Sequence, residues 1–238
     1  NNKIVWVEIS SAISLHIFDL TTNTERTIQG AKMNNIYSST DLDFYGNNII
    51  WLDDSKVFLH DLQNGSTKEL MPGSAKLLPS IWKNKISWVQ SSGGIYLYDL
   101  VTGSGKIIAQ EGNSPVIFEN LIAYWCTRNS LRKICLFDIS KNTEKEINTT
   151  NLGNSLSIGA NFIVWQDSVD ALETAIFYYD FSDSKVKQLS KYGPYSESKI
   201  PSTSLTRVAW EDGTYGLSAI MVFDPPVVSG NLDIDNDG

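Results

Sequence analysis

One pattern recurs six times along the chain. It consists of an apolar segment closed by a tryptophan and then an aliphatic segment that ends in aspartate. The copies read KIVWVE with LHIFDL, IIWLDD with VFLHDL, KISWVQ with IYLYDL, IAYWCT with ICLFDI, FIVWQD with IFYYDF, and RVAWED with AIMVFD. Successive copies are 45, 37, 37, 40 and 45 residues apart, counted between Trp6, Trp51, Trp88, Trp125, Trp165 and Trp210. A period of about 40 residues with several strands per repeat is typical of a β-propeller. We therefore predict an all-β chain that folds as a six-bladed β-propeller.

One repeat shows the strands of a single blade. Strands are predicted at Pro79–Trp82, Ile86–Val89, Ile95–Leu100 and Lys106–Gln110, with turn residues between them. Four antiparallel strands joined by short turns form one propeller blade. The first repeat begins directly with its tryptophan strand, so we expect its innermost strand to come from Val227 and Val228 or from a segment before Asn1.

The repeated residues have structural explanations. A tryptophan covers about 200 Å² of apolar surface, worth roughly 5 kcal/mol of gross transfer free energy, and suits a wedge between blades. The aspartates precede turn sequences, where a carboxylate accepts backbone N–H bonds. A catalytic group has no reason to recur in every blade, so we expect all six aspartates to hold turns. They are Asp19, Asp61, Asp99, Asp138, Asp180 and Asp224.

The repeat resembles that of the TolB-like six-bladed propellers, especially those of archaeal and bacterial cell-surface proteins. The resemblance rests on a turn Asn or Gly, the I-V-W-x-D segment, a variable loop, I-Y-L-Y-D-L and T-G, in that order. Its cleanest copy is Asn84–Ile108. The resemblance implies the fold of nearly the whole chain. It implies no single activity, because the family includes periplasmic partner-binding proteins, surface-layer modules, peptidase propeller domains and polysaccharide lyases. In the last copy Asp224-Pro225-Pro226 replaces the T-G turn.

The net charge and the composition limit the classes of partner that the chain can have. The net charge is −8, which opposes binding to nucleic acid phosphates. No run approaches the 18 or so apolar residues that a membrane helix needs. The chain starts at Asn1 without a methionine or a signal core, so we expect a processed product or a piece of a longer, extracellular, cell-surface or periplasmic protein, and a monomer.

Two cysteines lie on neighbouring strands of the fourth repeat. Aligning the repeats on their tryptophans places Cys135 opposite Trp125, and Cys126 then points to the other face of the sheet. The expectation is two free, partly buried thiols rather than a disulfide.

Catalytic motifs are not found in the sequence. His16 and His60 both fall inside predicted strands, where a buried structural role is expected rather than that of a general base or metal ligand. The sequence has no G-x-S-x-G elbow, H-E-x-x-H pair or phosphate loop. We predict that the chain is not an enzyme and that the propeller holds no cofactor.

Ligands of propellers bind where loops gather at the end of the central channel, so candidate residues are sought there. Carboxylates and tyrosines suit recognition of carbohydrate or peptide, because rings stack while acids accept hydrogen bonds. The alternative is an ordinary polar loop in the fifth repeat and solvated strand-end acids in the second. The candidates are Asp167, Asp170, Glu173, Tyr192, Tyr195, Glu197, Asp41 and Asp43.

The last ten residues differ from the repeats. Asp233, Asp235, Asp237 and Gly238 have the D-x-D-x-D-G spacing that opens a calcium loop. We therefore divide the chain into a propeller at 1–228 and an acidic tail at 229–238. The expectation is that the tail binds calcium in a longer protein. The alternative for the tail is an acidic disordered segment.

These observations favour a non-enzymatic surface module of a multidomain protein that binds protein or glycan. The competing hypotheses are a polysaccharide lyase or hydrolase that uses acids and tyrosines at the channel mouth, and an architectural surface-layer domain without a ligand.

Overall fold

The computed structural model describes residues 2–9, 13–28, 42–70, 75–149, 153–168, 174–190, 198–203, 206–213 and 219–225. These ranges contain 22 β-strands and no α-helix, so none of their residues forms a helix long and apolar enough to cross a membrane. The all-β prediction is confirmed.

The strands form six antiparallel sheets, which we call blades 1 to 6 in chain order. Blade 1 contains β1 (Lys3–Ile9), β2 (Ile13–Asp19) and β3 (Thr24–Ile28). Blade 2 contains β4 (Leu42–Tyr45), β5 (Asn48–Asp53), β6 (Lys56–Asp61) and β7 (Ser66–Glu69). Blade 3 contains β8 (Ala75–Trp82), β9 (Lys85–Gln90), β10 (Ile95–Asp99) and β11 (Ser104–Ala109).

Blade 4 contains β12 (Asn113–Phe118), β13 (Leu121–Arg128), β14 (Leu131–Asp138) and β15 (Thr143–Ile147). Blade 5 contains β16 (Asn154–Ile158), β17 (Phe162–Ser168), β18 (Thr174–Asp180) and β19 (Lys185–Gln188). Blade 6 contains β20 (Ser198–Thr203), β21 (Val208–Asp212) and β22 (Ala219–Phe223).

Each sheet pairs its strands in chain order, which is the arrangement of a propeller blade. Blades 2 to 5 have four strands, whereas blades 1 and 6 have three within the described ranges. Blade 1 begins with its tryptophan strand β1, as the sequence predicts. The six blades confirm the six-bladed propeller.

The chain divides into two compact units, Asn1–Asn148 and Thr149–Gly238. Blades 1 to 4 belong to the first unit and blades 5 and 6 to the second. In the second unit, Val164 and Tyr178 of blade 5 share an apolar cluster with Val208 and Trp210 of blade 6.

Aspartates fix the turn at one end of five blades. In blade 3 the Asp99 Oδ1 accepts the Val101 N–H at 2.8 Å and the Thr102 N–H at 3.4 Å. Partial burial raises the pKa of Asp99, but these two bonds, the nearby Lys85 cation and the Asn84 amide together hold the pKa below its usual value. Equivalent backbone N–H bonds are accepted by Asp19, Asp61, Asp138 and Asp180. The turn-holding prediction is confirmed for these five, whereas Asp224 forms an ion pair with Arg207 at 2.8 Å.

Two of the repeated tryptophans pack against the preceding blade. Trp51 is fully buried in a cluster with Leu15 and Ile17 of blade 1. Trp88 lies in a cluster with Val57 and Leu59 of blade 2. These two therefore act as wedges between blades.

Blade 4 departs from the tryptophan alignment by one residue. In blades 2, 3, 5 and 6 the repeated tryptophan follows the turn that ends the first strand by four residues, as Trp88 follows Asn84. In blade 4 the residue four after Asn120 is Tyr124, and it is Tyr124 that packs against blade 3 in the place of a tryptophan. Successive strand residues point to opposite faces, so Trp125 faces the other way.

This register overturns the expectation of free thiols. Tyr124, not Trp125, is paired with Cys135, so Cys126 and Cys135 lie on the same face of neighbouring strands. Their Cα atoms are 5.8 Å apart and they form a disulfide. A shift of one residue moves a side chain to the opposite face, and for that reason the tryptophan alignment gave the wrong result.

Candidate functional site

Most of the candidate residues lie outside the described ranges, and their roles stay predictions. They are Asp41, Asp170, Glu173, Tyr192, Tyr195, Glu197, Asp233, Asp235 and Asp237. Asp43 and Asp167 are described.

Asp167 is buried at the end of β17, in the second unit. Its Oδ1 accepts the Ser168 N–H at 2.9 Å and its Oδ2 accepts the Trp165 indole N–H at 3.3 Å. The carboxylate thus orients the repeated tryptophan of its own blade. Its ligand-binding role stays a prediction.

Asp43 connects blade 2 to blade 3. The Asp43 Oδ2 accepts the Ile81 N–H at 2.8 Å and the Ser80 hydroxyl at 3.1 Å, and its Oδ1 accepts the Phe44 N–H at 2.8 Å. The Ser80 Oγ in turn accepts the Ile117 N–H of blade 4 at 3.2 Å. This chain of bonds joins the innermost strands of three blades.

Burial dominates the titration of Asp43. Desolvation raises the pKa of this carboxyl to about 6, although its three hydrogen bonds act in the opposite direction. A raised carboxyl pKa is a feature of catalytic acids, but structural networks also produce one. Here the bonds to Ile81 and Ser80 assign Asp43 a structural task.

His60 is buried, and its Nδ1 forms a 2.8 Å hydrogen bond with the Thr67 hydroxyl. Burial lowers the pKa of His60, and the nearby Arg26 lowers it further. This agrees with the predicted structural role of His60.

The side chains around His16 include those of a catalytic triad. The Ser14 Oγ lies 2.8 Å from Nε2 of His16, and the Glu25 Oε1 lies 2.9 Å from its Nδ1. A hydroxyl, an imidazole and a carboxylate in this order are the parts of a nucleophilic triad.

A further carboxylate breaks the triad pattern. The Glu8 Oε2 lies 3.2 Å from the same Nε2, and Trp6 stacks on the imidazole at 5.2 Å between ring centroids. An Nε2–H directed at Glu8, which only accepts, leaves no lone pair to take the Ser14 proton. The cluster therefore connects the three strands of blade 1.

A polar depression of about 350 Å³ lies at the hairpin end of blade 4, where β13 joins β14. Its walls combine the start of β12 and the loop before it with the end of this hairpin. The lining residues are Glu111, Gly112, Asn113, Trp125, Cys126, Thr127 and Arg132. We call this depression the blade 4 mouth.

Trp125 and Arg132 form the centre of the blade 4 mouth. The Arg132 guanidinium lies over the Trp125 ring, 4.7 Å from its centroid. Only 2% of Trp125 is exposed, and its indole N–H has no hydrogen-bond partner in the described part of the chain. Most buried polar groups in proteins are hydrogen-bonded, so this donor needs an explanation.

Ion pairs fix the edge of the mouth. Arg128 binds Glu111 at 2.9 Å and Glu144 at 2.8 Å, and Glu144 also accepts the Tyr124 hydroxyl. The bond to Glu144 is the main reason that the pKa of Arg128 rises. The cation of Arg128 therefore neutralises Glu111, the one carboxylate that lines the mouth.

The sequence located this region but not its residues. Ligands were expected at the loops of one channel end, and the segments 110–114 and 127–132 border the mouth. Trp125 was assigned to the blade core instead. The spacing from Asn120 was the signal that could have separated Tyr124 from Trp125.

No group of three or more His, Cys, Asp or Glu residues suited to holding a metal ion occurs within the described ranges. The calcium site predicted in the tail lies outside them.

The blades define a six-bladed β-propeller, and solved propellers share its fold. TolB from Acinetobacter baumannii is 15% identical, with a TM-score of 0.58 over 93% of this chain and 66% of that one. The putative TolB from Agrobacterium tumefaciens is 13% identical, with a TM-score of 0.61 over 89% of this chain and 84% of that one.

The β-propeller domain of the Trilobed protease from Pyrococcus furiosus is 11% identical, with a TM-score of 0.67 over 94% of this chain and 78% of that one. At these identities the similarity concerns the fold alone. No protein-family model matches the chain, and no curated protein matches its sequence.

Proposed function

We propose that this chain is a non-enzymatic β-propeller module that binds a protein partner through the blade 4 mouth. The observation that carries the proposal is the contrast between the two ends of blade 4. At one end Asp138 holds a turn, as its counterparts do in other blades. At the other end Trp125 and Arg132, which lie outside the repeat pattern, line an open depression.

Protein is a better ligand for the mouth than glycan. Sugar-binding aromatic residues offer an open ring face, but the Trp125 ring is buried and Arg132 covers one side of it. The polar groups around the ring suit hydrogen bonds to a protein, whose interfaces are rich in such contacts. Arginine and tryptophan are also the residue types that dominate binding energy at protein interfaces.

We further propose that the module works outside the cytosol, as part of a secreted, cell-surface or periplasmic multidomain protein. The Cys126–Cys135 disulfide supports this location, because disulfides persist in oxidising compartments and are rare in the cytosol. The similarity to TolB propellers supports a partner-binding role by analogy of fold.

An enzyme of the lyase or hydrolase type is the second candidate, and the raised pKa of Asp43 is the observation in its favour. A general acid needs a carboxyl that can reach a substrate. The Asp43 oxygens instead bind groups of blades 2 and 3, so we prefer the binding module.

Photo-crosslinking in the native host tests the proposal. A photoreactive residue replaces Thr127, which is exposed at the mouth, and in a matched control it replaces Thr102, which is exposed in the turn at the other end of blade 3. The expected result is a discrete protein conjugate from position 127 that position 102 does not give. Equal conjugates at both positions, or a conjugate that glycosidase removes and protease does not, would contradict it.

A further inference from the structure

We propose that blade 6 binds an extended, basic segment of a partner protein, which pairs with β22 as the fourth strand of the blade. This site belongs to a different unit of the chain from the blade 4 mouth. The inference goes beyond the function proposed for that mouth and does not rest on it.

The first argument is the position of β22 in its sheet. β22 ends next to Asp224 and so corresponds to the strand that ends at the repeated aspartate in the other blades. In blades 1 to 5 that strand pairs with one further strand, which we call the fourth strand. Within the described ranges β22 pairs only with β21. We call the side of β22 away from β21 its outer edge.

The side chains of β22 are exposed on both faces of the sheet. Ile220, Met221 and Val222 are 73, 42 and 58% exposed. In blade 3 the three residues at the same distances before the aspartate are all buried, namely Ile95, Tyr96 and Leu97. β22 contains neither the charged residues nor the proline with which natural edge strands avoid further pairing. The outer edge is therefore suited to accept another strand.

The second argument is the sequence that follows β22. In blades 1 to 5 the residue two places after the aspartate donates its N–H to the carboxylate. The residue four places after the aspartate has a positive φ in all five, at Asn23, Gly65, Gly103, Asn142 and Ser184. In blade 6 these places are taken by Pro226, which has no N–H, and by Val228, a β-branched residue that disfavours a positive φ. The sequence after Asp224 therefore lacks both groups on which the turn to a fourth strand depends.

The third argument is a basic residue that recurs in the fourth strands. It is paired with the residue two places before the aspartate, and that residue is buried in each of the five blades. The pairs are Ile17 with Arg26, Leu59 with Lys68, Leu97 with Lys106, Leu136 with Lys145, and Tyr178 with Lys187. The aliphatic stem of a lysine or arginine covers an apolar neighbour while its charged end stays in water. In blade 6 the corresponding residue is the exposed Val222.

This register defines the segment that suits the outer edge. The segment runs antiparallel to β22 and carries Lys or Arg opposite Val222. Residues 226–238 contain no Lys or Arg, and β22 of a second copy has no charged residue either. The net charge of −8 attracts a basic segment. When a strand is added to a sheet, main-chain hydrogen bonds give the affinity and alternate side chains give the specificity.

NMR titration of the ¹⁵N-labelled whole chain tests the inference without knowledge of the partner. The probe is the acetylated and amidated peptide KNTEKEINT, which copies residues 141–149 and has the fourth strand β15 at its centre. One control peptide has glutamine in place of the central lysine. The other has proline in place of both glutamates, which prevents strand pairing.

We expect the probe to cause saturable shifts of the amide signals of β22. The glutamine peptide should bind about two- to five-fold more weakly, and the proline peptide should not bind. Equal binding of the probe and the proline peptide would overturn the inference, and so would shifts that leave the β22 signals unchanged.

Charge reversal connects the binding to Val222. Val222→Lys places a like charge opposite the central lysine of the probe, so the Kd should rise by about two- to five-fold. A peptide with glutamate as its central residue should bind this variant more tightly than the probe does. Val101→Lys, at an exposed turn residue of blade 3, is the matched control and should leave the Kd unchanged.

Hydrogen exchange of the free chain detects any other occupant of the outer edge. We expect rapid exchange of the amides of β22 that point away from β21. Protection of these amides at every protein concentration would assign the edge to the chain's own residues, and protection that grows with concentration would assign it to a second copy. Either result would refute the inference and leave the function proposed for the blade 4 mouth untouched.

Discussion

Tyr124 lies directly opposite Cys135 in the pairing of β13 with β14. This relationship places Tyr124 in the core that blade 4 shares with blade 3, and it brings Cys126 and Cys135 to one face. It also leaves Trp125 on the other face, where its ring meets Arg132. The disulfide and the blade 4 mouth therefore have the same structural origin.

The wedge residues should dominate the stability of the propeller. Trp88→Ala should lower the free energy of unfolding by about 3 to 5 kcal/mol, because it leaves a cavity between blades 2 and 3. Urea unfolding of both proteins measures the difference. Val101→Ala, at a side chain that is 78% exposed, is the control and should change stability by less than about 0.5 kcal/mol. A loss below about 1 kcal/mol for Trp88→Ala would contradict the wedge role.

Asp43 should make the propeller less stable as the pH rises. Its pKa is raised from 3.8 to about 6 in the folded chain, so between these values the folded state binds more protons than the unfolded state. The stabilising contribution of the protonated carboxyl is then lost as the pH rises through about 6.

Comparison with Asp43→Asn isolates this contribution. The quantity to follow is the free energy of unfolding of the parent minus that of Asp43→Asn. This difference should fall between pH 4 and pH 7, because the carboxyl titrates and the amide does not. Asp54→Asn, in an exposed turn, is the control for the loss of one carboxylate. NMR follows the Asp43 carboxyl directly, and a pKa for it near the ordinary aspartate value of 3.8 would refute this prediction.

Ser14 should not behave as a catalytic nucleophile. Because the Glu8 carboxylate competes for Nε2 of His16, we expect no labelling of Ser14 by a fluorophosphonate probe and no ester hydrolysis. Mass spectrometry of the labelled chain is the measurement. Labelling that disappears in His16→Ala but survives in Ser91→Ala would show a working Ser14–His16–Glu25 triad and favour the enzyme hypothesis.

Calcium should not contribute to the stability of the blades. Asp233, Asp235 and Asp237 follow β22 in the sequence, so a chelator should leave the Tm of the propeller unchanged. Calorimetry with and without a chelator measures this. A Tm that falls on chelation would place a calcium site among the blades.

The sequence predicted the features that recur in every repeat and missed those that occur in one blade only. Strand periodicity and the Asp-turn segments located the blades, because each signal recurs and local hydrogen bonds enforce it, as at Asp99. Blade 4 was misaligned because two aromatic residues stand side by side in its strand. The spacing from Asn120 and the pairing with β14 both select Tyr124, whereas an alignment on tryptophan alone selects Trp125. The link from Asp43 to Ile81 spans two blades and has no local signal.

Disulfide mapping tests the register of blade 4 most directly, and the proposed site depends on that register. Proteolysis under non-reducing conditions, followed by mass spectrometry, should yield a peptide pair joined through Cys126 and Cys135, with no free thiol in the denatured chain. Replacing both cysteines with serine should cost about 2 to 3 kcal/mol for the short loop between them. Two free thiols in protein isolated from an oxidising compartment would contradict the register that brings Cys126 and Cys135 together.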